Sequence, residues 1–303
     1  MRTIDLSSEL AGALDDRFRA AGAAGFLHAR EIDGDRTVGY RADELVVTAS
    51  VFKIPVMVEL ARRFDNGDPA PTERVRVKPD DRVLGPTGLS AMLDEAELSW
   101  RDLAQLMMSV SDNTATDVIM RRVGLDAINA TLAELGLERT TLIGDCRALL
   151  GSLTEDTGLR LDSDDRTGDD AERLSHWRSL DPTRTSRTTP EEMTRLLAMV
   201  WRDEAGSPEA CAEARRIMAT QVWPHRLTSG FPDGVTLAAK TGTLPGIRNE
   251  AGVVTYPDGA RYAVAVFTRA DSYVDRRPEV DRVIGNAAFT AVEALRGTST
   301  PLS

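Results

Sequence analysis

Apolar positions along this chain change their period twice, and the changes mark out its elements. Residues 6–21 carry apolar side chains at helical spacing. The run "GFLHAREI", the turn "DGD" and the run "RTVGYRA" then read as two short strands in a hairpin. From residue 50 to about 220 the pattern is helical. Ser50 to Phe64 predicts a helix that stops at Asn66-Gly67. "LSWRDLAQLMMSV" opens on Ser99 with Asp102 three residues on, a variant of the capping box. "TATDVIMRRVG" and "LDAINATLAELG" predict two further helices, each closed by glycine. Strand character returns at "GVTLAAKTGT" and runs on through "EAGVVTYPDGARYAVAVFTRA", where a Pro-Asp-Gly turn separates two Val- and Ala-rich runs. "PEVDRVIGNAAFTAVEAL" predicts a closing helix.

Strands from both ends of a chain, with helices inserted between them, imply an α+β fold. The expectation is an antiparallel sheet with flanking terminal helices plus an all-helical lobe. Residues 1–49 and 221–303 would form the sheet domain and residues 50–220 the helical domain. Within the latter, residues 152–187 are polar, rich in Asp and Arg, and lack a sustained apolar period. They read as a loop insertion, either a solvated surface segment or a lid over a site.

Composition removes several classes of function. A net charge of −11 and a pI near 4.9 leave no basic stripe for nucleic acid or an anionic membrane surface. No apolar run reaches the length of a transmembrane helix. The first residues are acidic and amphipathic, without the apolar core of an export signal, which predicts a cytoplasmic protein. Cys146 and Cys211 suit a reducing compartment. The histidines His28, His176 and His225 are widely separated, so neither a metal nor another cofactor is expected.

The basic residues themselves carry information. Lysine occurs only at Lys53, Lys78 and Lys240, against 34 arginines. An ammonium can surrender its proton when buried among other charges, whereas a guanidinium does not. Lys53 follows Ser50 by three residues, which puts both on one face of a helix near its N-terminus. A serine hydroxyl becomes a nucleophile when a nearby base takes its proton, and a lysine held partly neutral can do so. Ser111-Asp112-Asn113 falls at a break between two helices, where Ser111 could relay a proton and the Asn113 amide could grip an acyl-amide group; taken alone, the tripeptide is also a plain helix cap. Lys240-Thr241-Gly242-Thr243 lies on the first strand after the helices; Gly242 would admit a close approach to the strand, and Lys240 with the two hydroxyls would face an anionic group.

Together the S-x-x-K, S-D-N and K-T-G elements, in that order, resemble the class A serine β-lactamases and penicillin-binding proteins. "GPTGLS", "LMMSVSDNTATDVIM", "RTTPEEMTRLL" and "KTGTLPGIRNEAGVV" extend the similarity over most of the chain. The resemblance implies an acyl-enzyme on Ser50, proton transfer involving Lys53, and leaving-group protonation by Ser111. It also implies an oxyanion hole of the Ser50 and Thr243 amides, and substrate positioning by Asn113. Lys240, Thr241 and Thr243 would bind a substrate carboxylate, with Arg248 assisting. The substrate would be a small molecule with an amide or ester.

One element of that family is missing. A glutamate that serves deacylation is expected near "TTLIGDCRALLGS", and Cys146 or a neighbour stands where it would align. Asp145 is the nearest carboxylate, followed by Glu155 and Asp156. The expectation is β-lactamase-like amide or ester hydrolysis with impaired or non-standard deacylation. An acyltransferase or esterase acting on a cytoplasmic biosynthetic intermediate is the alternative, and a non-catalytic β-lactam-binding or sensor protein the third reading.

Overall fold

The computed structural model describes residues 2–3, 8–160, 170–273 and 276–297. The chain divides into two compact units: Met1–Val51 with Thr188–Arg202 and Trp223–Ser303, and Phe52–Arg187 with Asp203–Val222.

The first unit is built on a six-stranded sheet in the order β1-β3-β2-β10-β9-β8. Its strands are β1 (Arg2–Thr3), β2 (Ala23–Glu31), β3 (Arg36–Tyr40), β8 (Thr236–Leu244), β9 (Ile247–Thr255) and β10 (Arg261–Ala270); the two-residue β4 (Val46–Val47) follows β3 in the chain. Neighbours pair antiparallel from β3 through β8, with short connections joining β2 to β3, β8 to β9 and β9 to β10, while the short β1 joins the edge in parallel. Helices α1 (Ser8–Ala20) and α10 (Pro278–Arg296) cover one face. There Leu14 and Phe18 meet Leu27, Val264 and Val266 of the sheet and Ile284, Ala288 and Val292 of α10.

The other sheet face is covered by α8 (Pro190–Trp201), and here the structure departs from the sequence reading, which left residues 188–202 in the helical domain. The helix is polar at its start, capped by Thr189 and carrying Glu191 and Glu192, but buries Met193, Leu196, Leu197 and Val200. Thr194 reaches His28 and Arg30 of β2. With helices on both faces the central strands are buried throughout, so β2 and β10 show little of the alternation that a one-sided sheet would have.

The second unit is helical around α2 (Lys53–Asp65), whose residues from Lys53 through Ala61 are all buried. Around it stand α3 (Trp100–Ser109), α4 (Asn113–Val123), α5 (Leu125–Glu134) and α9 (Pro208–Met218). A buried Glu59 within α2 is matched by Arg63 one turn on and by the Thr131 hydroxyl. Ser99 caps α3 by accepting the Asp102 amide at 3.1 Å, and its own hydroxyl donates to the Asp102 carboxylate at 2.7 Å. The small hairpin β5 (Arg74–Val77) and β6 (Ala96–Ser99) completes this side.

The polar stretch 152–187 is more structured than its composition predicts. Its start completes α6 (Cys146–Thr157); α7 (Asp170–Ser175) and β7 (Arg187–Thr188) follow, and residues 161–169 lie outside the described residues. Trp177 is fully buried, with its indole N–H donating to Ser152 at 2.8 Å. Leu153, Leu174 and Trp177 anchor the segment, but they are too irregularly spaced to register as a period.

Candidate active site

In the first unit Ser50 sits in a 3₁₀ turn, Ala49–Phe52, that runs directly into α2, whose first residue is Lys53. Ala49 takes a left-handed φ of 44°, a conformation that a residue with a Cβ adopts only when its surroundings hold it there. The surroundings are β8 and β9. A Cβ on Gly242 would fall 2.6 Å from the Thr48 carbonyl oxygen and 3.2 Å from the Ala49 Cβ, so β8 lies against the turn only because that position is glycine. The Asn249 amide, buried in β9, donates to the Val47 carbonyl at 2.8 Å and to the Thr48 carbonyl at 3.2 Å.

Lys240 is completely buried and donates to the Thr241 carbonyl at 2.9 Å, whereas Thr243 is exposed. By strand alternation Lys240 and Gly242 share one side of β8 and Thr241 and Thr243 the other. Arg248 pairs with Thr243 in the ladder; its guanidinium is buried and donates to the Leu244 and Ile247 carbonyls at 2.9 Å, bracing the β8–β9 turn.

Sequence reasoning missed Arg226 and Asn249. Arg226 is buried, with Nε 2.6 Å from Asp281 of α10, Nη1 donating to the Gly242 and Asn249 carbonyls, and Nη2 donating to the Thr243 hydroxyl at 2.9 Å. Neither residue sits in a motif. Asn249 stands in the polar run Arg248-Asn249-Glu250, which gave no signal of its own, and among so many arginines nothing singled out Arg226.

In the second unit Lys53, Ser111 and Asn113 form a cluster. Lys53 Nζ donates to the Ser111 carbonyl at 2.8 Å and to Asn113 Oδ1 at 2.9 Å, and lies 3.2 Å from the Ser111 hydroxyl. Burial lowers the proton affinity of this amine below the ordinary lysine range; the nearby carboxylates Asp112 and Asp117 pull the other way. Ser111 itself has a left-handed φ of 61°. Asp112 holds it there from the neighbouring position, accepting the Ala115 amide as the N-cap of α4, the Leu89 amide and the Ser90 hydroxyl. Asn113 Nδ2 donates to the Leu84 carbonyl at 2.7 Å.

Cys146 is the first residue of α6, capped by Asp145, whose carboxylate accepts the Ala148 amide. Burial pushes the Cys146 thiol up to about 12, against the attraction of Lys53. Asp117 of α4 accepts the Cys146 and Arg147 amides at 2.8 and 2.9 Å; burial first, and Asp145 second, raise its carboxyl to about 6. Glu155 and Asp156 both grip Arg178, which holds Asp156 down at about 2. The carboxylates flanking Cys146 therefore have structural partners. Among the described residues no group of His, Cys, Asp and Glu could hold a metal ion.

The profile of the β-lactamase enzyme family matches residues 9–295, nearly the whole chain. The chain belongs to that family. It is 29% identical over 311 residues to the β-lactamase regulatory protein BlaB of Streptomyces cacaoi, covering 96% of this chain and 98% of that one. Similarity to a β-lactamase of Streptomyces albus G is 28% over 293 residues, 91% and 82% of the two chains. The crystal structure of a β-lactamase from Sphaerobacter thermophilus superposes with a TM-score of 0.77 at 26% identity, covering 98% of this chain and all of that one. The family assignment and the fold agree with the α+β, β-lactamase-like architecture expected from the sequence. No helix among the described residues is long and apolar enough to cross a membrane.

Proposed function

We propose that this protein is a serine acylase of the β-lactamase type that forms an ester with a small amide- or ester-bearing substrate at Ser50 and releases it slowly. The observation that carries this reading is the state of Lys53. Lys53 has no exposure and is held at three points, donating to the Ser111 carbonyl, Asn113 Oδ1 and the Ser111 hydroxyl, while burial lowers its proton affinity, so a fixed amine is placed to give up and regain a proton. Lys53 takes part in moving the Ser50 proton, and Ser111 passes a proton to the leaving group. The amides of Ser50 and Thr243 stabilise the oxyanion. Asn113 orients the substrate, and the Lys240 charge, on the side of β8 that Gly242 turns to the Ser50 segment, attracts its carboxylate, while the Thr241 and Thr243 side chains lie on the opposite side of the strand. Arg248, turned to backbone carbonyls, supports the strand.

Slow release follows from the α6 region. Asp145 serves as a helix cap, Glu155 and Asp156 hold Arg178, and Cys146 is a neutral thiol, so each has a role other than activating water. A carboxylate free to do so is what fast deacylation by water would need.

A regulatory role is the second reading, favoured by the near full-length similarity to a protein named as a β-lactamase regulator. A protein that acylates and holds its ligand is suited to sensing it. A transferase that passes the acyl group to an amine or alcohol is the third reading, and a cytoplasmic biosynthetic substrate would suit it.

Intact-protein mass spectrometry after addition of a penicillin and a cephalosporin, with Ser50→Ala as control, tests the proposal. A lasting adduct on the wild type and none on the variant is expected. Rapid loss of the adduct with hydrolysed product would contradict slow release. Absence of any adduct would contradict β-lactam acylation.

A further inference from the structure

We propose that Asn249 is the positioning residue of the nucleophile: it holds the chain before Ser50 in the strained turn that aims the Ser50 amide and hydroxyl. The inference rests on the acyl-Ser50 reading and adds a residue that none of the three motifs contains.

The geometry is confined to the first unit. Asn249 has no exposure, and all of its amide is engaged. Nδ2 donates to the carbonyls of Val47 and Thr48, the two residues before Ala49. Oδ1 accepts the Thr268 amide of β10 at 3.1 Å, which fixes which end of the amide faces the turn. The Asn249 side chain thus ties the central strand β10 to the segment 47–48, across β9.

What it ties is not an ordinary turn. Ala49 sits at φ 44°, and the Val51 amide closes the turn onto the Thr48 carbonyl at 3.1 Å. Rotation of the Thr48–Ala49 peptide would relieve the strain at Ala49. It would also carry the Thr48 carbonyl away from both the Asn249 amide and the Val51 amide, opening the turn that encloses Ser50. Two donations from one rigid, buried group oppose that rotation. Gly242 contributes the space and Asn249 the attachment. Arg226 secures the base by donating to the Asn249 carbonyl, so the residue is held through both backbone and side chain.

The step served is attack of Ser50 Oγ on the substrate carbonyl, in which the Oγ–C bond forms, the C–N or C–O bond of the substrate breaks, and the Ser50 proton passes by way of Lys53 and Ser111 to the leaving group. A displaced nucleophile or oxyanion donor costs on the order of a hundredfold in rate while leaving ground-state binding largely intact. Packing alone would behave differently, because loosening the sheet would disturb the anion-binding strand β8 as well.

The test is the acylation of Asn249→Ala and Asn249→Asp by a chromogenic cephalosporin, resolved into the binding constant of the first complex and the limiting rate of acylation. Asp keeps the size of Asn and an acceptor for Thr268, and loses the ordinary donation to Val47 and Thr48. Val253→Ala, in the buried core of the same strand, serves as a control for general loosening. Hydrogen exchange of residues 47–52 is followed in each protein. A limiting rate reduced about a hundredfold or more in both Asn249 variants is expected, with binding within about threefold of wild type, faster exchange at 47–52 and Val253→Ala close to wild type. Should Asn249→Ala fail to fold, the Asp variant decides. Acylation within about threefold of wild type, or an equal loss in Val253→Ala, overturns the proposal. If the wild type itself is not acylated, the acyl-Ser50 reading fails separately; exchange at 47–52 then decides whether Asn249 holds the turn, unchanged exchange overturning it.

Discussion

Lys53 Nζ lies 2.9 Å from Asn113 Oδ1, so the lysine of the first motif is fastened to the asparagine of the second. With the Ser111 carbonyl as its other close acceptor, the amine is fixed before any ligand arrives. A buried, pre-oriented amine of lowered proton affinity is the arrangement that proton transfer needs and that charge alone does not.

Lys53→Arg is therefore expected to lose about a thousandfold in acylation rate although it keeps a positive charge. A guanidinium cannot give up its proton, and its planar fork does not fit the two acceptors. In the wild type the rate should rise with pH along a limb centred below the ordinary lysine value of 10.5, because the neutral form is the active one. Stopped-flow acylation across pH, with denaturation midpoints as a check on folding, measures both. A Lys53→Arg variant that kept most of its rate would remove the proton-transfer role.

Gly242→Ala addresses the other unit. The added methyl would meet the Thr48 carbonyl oxygen at 2.6 Å and Val51 Cγ2 at 3.1 Å, so β8 and the turn must separate. The expected cost is roughly 1–3 kcal/mol of stability, with a disproportionate fall in acylation. Gly12→Ala offers the contrast: nothing stands within 4 Å of its added methyl, and it lies inside α1. That substitution should stabilise by up to about 1 kcal/mol and leave acylation unchanged. Thermal denaturation and acylation kinetics on both variants separate the two cases.

These features differ in how far the sequence discloses them. The helical and strand periods around 50–64, 99–135 and 236–296 are long and regular, so the α+β class and the order of elements were readable. The motifs were readable because lysine is so rare here. Burial of α8 against the sheet was not, because Glu191 and Glu192 hide an apolar face that long-range contacts with β2 and β10 select. Nor was the order in 170–180, which depends on one tryptophan finding a pocket beside Ser152. Asn249 and Arg226 escaped for the same reason: their partners, largely backbone groups, are brought near only by folding, and backbone leaves no trace in sequence.

Neither thiol should react in the native protein. Cys146 and Cys211 are both buried, and burial raises both thiols, Cys146 to about 12. At pH 7–8 almost none of the reactive thiolate is present. An aromatic disulfide reagent should therefore release no chromophore until denaturant is added, when both cysteines react. Cys146→Ser should form the same acyl adduct as the wild type with a similar lifetime. Rapid labelling of Cys146, or a change in adduct lifetime, would reinstate the thiol as a second nucleophile.

Asp117 makes the stability of the helical unit depend on pH in an unusual direction. Its carboxyl is raised to about 6 in the folded protein, chiefly by burial, against an ordinary value of 3.8. The folded state thus holds this proton more tightly than the unfolded one. Between those two values the folded chain carries more of the proton, so this group's contribution falls as pH rises from about 4 to about 6 and is constant above that. The amplitude is on the order of 3 kcal/mol. Other carboxylates act oppositely: Asp156, held down at about 2 by Arg178, loses stabilisation below pH 4. The signature must therefore be read as a difference between proteins. Asp117→Asn keeps an acceptor for one of the Cys146 and Arg147 amides and presents an N–H to the other, so it should be less stable than wild type at pH 7. Having no proton to bind, it should also lack the decline between pH 4 and 6. Denaturant midpoints of the two proteins at closely spaced pH values give the difference curve, which should slope through that window and flatten above it. A flat difference curve would mean that Asp117 is ionised throughout, its two backbone donors outweighing burial.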